Sequence, residues 1–152
     1  GPSGIEVPQV NSEETVQDAL DNFYYPPVGK RSWGGGTRHQ IAEFNDMRAY
    51  ADWWNSYGVI WLQVESAWTA LHTALLVKRG VDCFSFGPSD LTFDLEQHGG
   101  TGLQTVDDCV AFVARTLGGS DVRLSFRIGE RKNMKKYADM GVSVFLESMP
   151  DI

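Results

Sequence analysis

Apolar residues follow two rhythms that alternate along the chain: short, nearly continuous runs, and longer segments with a helical repeat. Residues 5–10 (Ile-Glu-Val-Pro-Gln-Val) read as a strand. Pro8 fits there only near the strand end or at a bulge, because proline cannot donate to a ladder. Asn11 is the expected helix cap, with Glu13 and Glu14 suited to the first-turn dipole. The helix runs to about residue 22 and turns Val16, Ala19, Leu20 and Phe23 inward. Residues 41–57 predict a second helix with Phe44, Met47, Tyr50, Ala51 and Trp54 on one face. Residues 59–64 are almost continuously apolar, as expected of a strand covered on both sides. Ser66 predicts the cap of a helix over 67–78, with Leu71, Leu75 and Leu76 inward and Gly80 ending it. Residues 81–86 form a third strand, 87–90 a tight turn and 92–104 a loop. A helix over 105–117 presents Val106, Cys109, Val110 and Val113 and stops at Gly118-Gly119. A strand over 122–128, a helix over 130–140 closed by Gly141, and a strand over 142–146 complete the pattern.

Strands alternating with helices imply right-handed crossovers and a parallel sheet. Five such strands suit either an open α/β sheet or part of an eight-stranded barrel. In both, the carboxyl ends of the strands carry the chemistry. Glu65, Asp90 and Glu147 all follow or end strands on that side. There is no glycine fingerprint for a dinucleotide, no phosphate-binding loop and no internal repeat.

Composition narrows the function classes. A chain of 152 residues favours one domain, and 42% apolar residues with five Trp and eight Phe supply a core. A formal charge of −7 argues against nucleic acid or an anionic membrane surface as partner. Cys83 and Cys109 are expected to be buried thiols in a reducing, cytoplasmic compartment. No run approaches the roughly 18–20 apolar residues of a membrane span, and no signal peptide is visible. The start Gly-Pro-Ser-Gly without Met suggests a removed tag or a piece of something longer.

Two carboxylates at neighbouring strand tips repel each other unless a positive charge lies between them. A hard divalent cation meets that need with few protein oxygens and leaves positions for water or substrate. The competing reading makes Glu65 and Asp90 helix caps, and spacing alone leaves both open. The turn Gly87-Pro88-Ser89-Asp90 would aim successive backbone N–H groups into a site, which suits a carboxylate. His39 and His98 lie in predicted loops and can reach such a site, whereas His72 is lateral on a helix. Residues 24–36 form a long loop with two prolines and three consecutive glycines, either a functional segment or a surface excursion. Spacing supports no Ser-His-Asp or Cys-His arrangement and no zinc site.

Four segments carry a resemblance. Tyr25-Pro-Pro-Val-Gly-Lys-Arg31, Leu62-Gln-Val-Glu-Ser66 and Gly80-Val-Asp-Cys-Phe-Ser-Phe-Gly-Pro-Ser-Asp-Leu91 resemble the HpcH/HpaI family of metal-dependent (class II) pyruvate aldolases, relatives of citrate lyase β subunits and macrophomate synthase. The opening Ile5-Glu-Val-Pro-Gln-Val-Asn-Ser-Glu-Glu14 fits as well. The resemblance implies a (β/α)8 barrel, typically oligomeric, that binds Mg²⁺ or another divalent ion such as Mn²⁺. It implies Glu65 and Asp90 as metal ligands, Gln63 beside a bound 2-oxo acid, and the Gly87-Pro88-Ser89 turn with the Ser89 and Asp90 amides around its carboxylate. It also implies Arg31 in the wall of the site, so that Gln63 and Arg31 become the candidate catalytic residues. Only the equivalents of barrel strands four to eight are present, as a single partial TIM-barrel-like domain over residues 1–152. The family's catalytic His and its enolate-stabilising Arg come from the first three strands, and neither His39 nor Arg38 is assigned to those roles. The expectation is therefore a carbon–carbon lyase, an aldolase or a decarboxylase acting on pyruvate or another small 2-oxo acid. A second copy or a complementing chain would complete it. The alternative is a catalytically impaired homologue that serves as a binding or assembly partner.

Overall fold

Proline sets the first boundary: strand β1 (Gly4–Val7) ends one residue before Pro8, where the missing donor costs no ladder bond. The computed structural model describes residues 2–34, 40–98, 100 and 102–147. After β1 come α1 (Glu13–Phe23), a 3₁₀ turn (Ile41–Glu43), α2 (Met47–Tyr57), β2 (Val59–Val64), α3 (Ala67–Leu76), β3 (Cys83–Phe86) and α4 (Pro88–Gln97). The chain continues through α5 (Val106–Thr116), β4 (Arg123–Ile128), a 3₁₀ turn (Arg131–Asn133), α6 (Met134–Asp139) and β5 (Val144–Glu147). The five strands lie in sequence order, every neighbour parallel. They curl into a half-barrel consistent with part of a TIM barrel. The expectation of parallel β/α units in a partial barrel holds.

Side-chain alternation assigns the two faces of this sheet. In β2, Ile60, Leu62 and Val64 are buried, while Val59, Trp61 and Gln63 are half-buried. Leu62 pairs with Phe84 and Val64 with Phe86, and these pair in turn with Leu124 and Phe126. Residues level with one another in a parallel ladder point to the same side. One face therefore carries an aliphatic and aromatic layer under the helices. Gln63, Ser85 and Ser125 share a level on the other, concave face.

Several boundaries differ from the sequence reading. Ser12, not Asn11, caps α1; its hydroxyl accepts from the Thr15 amide at 3.2 Å. The helix expected over 41–57 starts only at Met47, because the Asp46 carboxylate accepts from the Ala49 amide at 2.8 Å and fixes the cap there. Leu75 is 55% exposed rather than inward, and α3 instead buries Ala67, Thr69, Ala70, Thr73 and Leu76. These small side chains let α3 pack closely on α5, which turns Cys109, Val110 and Val113 inward. The largest correction concerns residues 87–97. The predicted turn and loop are helix α4, with Pro88 at its first position, Asp90 in its first turn, and Leu91 and Leu95 buried one turn apart. Proline's fixed φ suits a first helical position, so Gly-Pro-Ser-Asp reads equally well as a helix start.

The amino ends of the strands are tied by polar groups with committed partners. The Tyr24 hydroxyl lies 3.1 Å from the Gly58 carbonyl and 3.0 Å from the Gly80 carbonyl. Burial and the nearby Asp82 carboxylate push its pKa above the usual phenol range. Asp82 accepts from the Ile60 amide at 2.8 Å. Cys83 and Cys109 are both buried free thiols. Burial raises them to about 12 and about 11, so both stay protonated.

Candidate functional site

At the carboxyl ends of β1, β2 and β3 the chain makes three abrupt turns, and each contributes a group to one cleft. After β1, Gln9 adopts φ 53°, in the left-handed region that a non-glycine residue rarely occupies. Its amide donates to Glu65 Oε2 at 2.8 Å, and this contact holds the turn. After β2, Glu65 reaches across the sheet tip, and Ser66 follows as the cap of α3, accepting from the Thr69 amide at 3.1 Å. The Thr69 hydroxyl donates to the Val10 carbonyl at 2.5 Å and ties α3 to the chain leaving β1.

After β3, Gly87 passes directly under Glu65. A Cβ at Gly87 would lie 2.9 Å from Glu65 Cγ and 3.2 Å from Oε1, so only glycine accommodates the glutamate in this position. Helix α4 starts at once with Pro88, which has no N–H, and the amides of Ser89 and Asp90 that follow have no partner within the helix. The ends of those N–H dipoles favour negative charge.

The helical repeat then places Asp90, Phe93, Asp94 and Gln97 on one face of α4. With Gln9, Asn11, Glu65, Ser66 and His98 they line a cleft of about 320 Å³. Glu65 and Asp90, singled out from the sequence, thus border the same space. Neither serves as the helix cap that the competing reading assigned. Ser66 caps α3, and the remaining donor there, the Ala67 amide, is taken by Asp94 Oδ2 at 2.8 Å. Asp94 Oδ1 lies 3.1 Å from His98 Nδ1. Among the described residues the Asp90 carboxylate accepts no hydrogen bond, and Glu65 uses Oε2 for Gln9.

The other candidates divide. Gln63 sits half-buried on the concave face, two residues before Glu65 and level with Ser85. Arg31 lies elsewhere. Its guanidinium carbon is 4.9 Å from the ring centroids of both Tyr25 and Trp54, and Nη1 donates to the Phe23 carbonyl at 3.3 Å. It lines a separate groove of about 640 Å³ with Pro26, Pro27, Lys30, Trp33 and Asp52. That groove shares no residue with the Glu65 cleft. The described part of the 24–36 loop is held against α2, because Asn55 accepts from the Tyr25 amide at 2.8 Å and donates to its carbonyl at 3.0 Å. His72 stacks on Trp68 and is lateral, as the spacing implied. His39 falls outside the described residues. Glu147 is engaged by Arg131, whose Nε and Nη2 donate to it at 2.7 and 2.9 Å and hold its carboxyl below the usual range.

Sequence reading missed Gln9 and Asp94. Gln9 carries no composition signal, since its role comes from a backbone amide. Asp94 lay in a segment read as loop; a helical phase from Pro88 would have placed it one turn beyond Asp90. Among the described residues no three His, Cys, Asp or Glu side chains cluster closely enough to hold a metal between them. Two hard carboxylates, one unengaged and one with a spare oxygen, still fit an ion that takes most of its ligands from water and substrate.

The chain as a whole can be compared with known proteins. No family model matches the chain. A hydroxypyruvate/pyruvate aldolase of Roseovarius nubinhibens is 28% identical over 148 residues, which cover 94% of this chain and 56% of that protein. A 2-keto-3-deoxy-L-rhamnonate aldolase of Klebsiella pneumoniae is 32% identical over 97 residues, 62% of this chain and 36% of that protein. The crystal structure of an HpcH/HpaI aldolase from Desulfitobacterium hafniense superposes with a TM-score of 0.81 at 27% identity, covering 97% of this chain and 57% of that one. The chain therefore spans about half the length of the proteins it matches. No helix among the described residues is long and apolar enough to cross a membrane. By sequence and by fold, the chain is similar to aldolases of the HpcH/HpaI type.

Proposed function

We propose that this chain is a divalent-metal-dependent carbon–carbon lyase, an aldolase or decarboxylase, that binds pyruvate or another small 2-oxo acid. The observation that carries the reading is the shared cleft: Glu65 and Asp90 line it together at the carboxyl ends of parallel strands. The names of the relatives support the same reaction class.

Glu65 and Asp90 would hold Mg²⁺ or Mn²⁺. Bound there, the cation would polarise the keto oxygen and stabilise the enolate that forms as the carbon–carbon bond breaks or forms. The remaining roles fall to the chain itself. The Gln9 amide fixes Glu65 Oε2 and orients the carboxylate. Gly87 leaves the room that this orientation needs. The Ser89 and Asp90 amides at the start of α4 face the substrate carboxylate, with the helix dipole behind them. Gln63, on the concave face below Glu65, donates to the oxo acid. Arg31 acts at a distance, by ordering the loop and groove that it lines. Such a protein works as a homo-oligomer or with a complementing chain, and light scattering is expected to give a mass above the 16.9 kDa of one chain.

Calorimetric titration tests the reading. Mg²⁺ or Mn²⁺ is expected to bind the wild type, and oxalate or pyruvate to bind the metal-loaded protein. Oxaloacetate decarboxylation is the most accessible activity, since it requires enolate stabilisation with less help from a base. A wild type that binds neither metal nor oxo acid, or a Glu65→Ala variant that binds both unchanged, would overturn the proposal. Metal and ligand binding without turnover would favour the assembly-partner alternative.

A further inference from the structure

The concave face of the sheet carries a cation, Arg127, that does not line the Glu65 cleft. Phe126 and Ile128 are buried on the helix side of β4. Alternation therefore turns Arg127 to the concave face, with Ser125 and on the same side as Gln63. Register fixes its height. Phe86 pairs with Phe126, so the residue just past β3, Gly87, comes level with Arg127, which itself pairs with Leu146 on β5. One strand further, Val64 pairs with Phe86, so Glu65 is level with Gly87. Across the sheet tip the order is a glutamate just past β2, a glycine just past β3, and an arginine on β4.

Adjacent strands are about 4.8 Å apart, so the backbones at Glu65 and Arg127 are separated by about 10 Å. Gly87 floors the gap between them, and its missing side chain is already required by Glu65. The first-turn amides of α4 leave the same Gly87. Arg127 is exposed and makes no hydrogen bond or ion pair among the described residues. Its neighbour in the chain's charge pattern behaves differently, since Arg131 is fully engaged by Glu147. Below Arg127 on the same face, the buried Ser125 hydroxyl has no hydrogen-bond partner among the described residues. An unpaired guanidinium in a chain of net charge −7, across a glycine floor from the carboxylate pair, is arranged to receive an anion.

We infer that Arg127 is a specificity-determining residue that binds the distal carboxylate of a 2-oxo diacid. This rests on the oxo-acid reading above. The first carboxylate and keto group occupy the α4 end of the gap, beside Glu65 and Asp90. The chain of the substrate crosses Gly87, and its second carboxylate meets the Arg127 fork. Monocarboxylic oxo acids fill only the first half.

The test compares 2-oxoglutarate, a stable 2-oxo diacid, with pyruvate on the Mg²⁺-loaded protein by calorimetry. The wild type is expected to bind the diacid about 10-fold or more tighter, the range for one charge-assisted hydrogen-bonded pair. Arg127→Met is expected to abolish that preference while leaving pyruvate affinity within about twofold, because Arg127 does not touch the first carboxylate. Arg127→Lys keeps the charge without the fork and is expected to retain part of the preference. Pyruvate binding without any diacid preference in the wild type overturns the inference alone. So does an Arg127→Met variant that weakens both ligands equally or neither. A wild type that binds neither ligand overturns this inference together with the oxo-acid reading.

Discussion

The two ends of this sheet are built on opposite plans. At the amino ends, polar groups are saturated: Tyr24 bridges the Gly58 and Gly80 carbonyls, Asp82 takes the Ile60 amide, and the Trp54 indole donates to Phe23 at 2.9 Å beneath the stacked Arg31. At the carboxyl ends they are held but not used up. Glu65 keeps one oxygen beyond its Gln9 bond, and Asp90 and Arg127 have no partner among the described residues. Buried polar groups that find all their partners hold the fold together. Oriented groups left without partners are those a ligand can satisfy. The same contrast explains Arg31. Stacking on two rings and bonding a carbonyl makes it part of the saturated end, whatever its motif suggests.

That comparison can be broken by substitutions at either end. The largest expected effect is Trp54→Ala, which removes a buried indole and its hydrogen bond to Phe23. It should cost about 3–5 kcal/mol in chemical denaturation, and loss of metal binding should track loss of fold. Glu65→Gln should do the reverse. It keeps an acceptor for Gln9, so the melting temperature should hardly move, while Mg²⁺ affinity falls by more than about 100-fold in calorimetry. Should Glu65→Gln unfold the protein, or Trp54→Ala spare it, the division between the two ends would be wrong. Asp94→Ala sharpens the boundary between the plans. It leaves the Ala67 amide without its acceptor and should cost about 1 kcal/mol, the usual loss for a helix cap, measurable as a lower melting temperature. Oxo-acid binding should survive it.

The smallest effect concerns pH. Arg131 depresses the folded-state pKa of Glu147. A depressed carboxylate contributes stability above its unfolded pKa and loses that contribution as pH falls through the folded one. Because the pair is exposed, the term is small and screened by salt. Acid titrations of the wild type and Glu147→Gln, followed by fluorescence at low ionic strength, should diverge above the ordinary carboxylate range and converge below it. Curves that stay parallel throughout would show that the ion pair adds nothing.

Much of the fold was legible because its cues are local. The continuous apolar run at 59–64 is β2 as predicted. The first strand was read through Pro8 to Val10 and instead stops at Val7, before the residue that lacks a donor. Glu65 and Asp90 stood out because a carboxylate that ends an apolar run is unusual. Residues 88–97 were misread for an equally local reason, since Gly, Pro, Ser and Asp serve both turns and helix starts, and only the burial of Leu91 and Leu95 decides between them. Asp94 shows where local cues fail. Its partner is an amide 27 residues earlier, and no spacing rule connects the two.

By itself, the sequence determined the alternation of strands and helices, the apolar layer and the placement of acidic groups after β2 and β3, because these follow from short-range periodicity and chain order. Tertiary structure alone decided which of those groups share a space. Strand register sets Glu65 over Gly87 and Arg127 level with both. The packing of α4 against the start of α3 brings Asp90 and Asp94 to the cleft. Ring stacking carries Arg31 away from it. Each of these depends on contacts between segments distant in the chain, and the energy that selects them exists only once the sheet has formed.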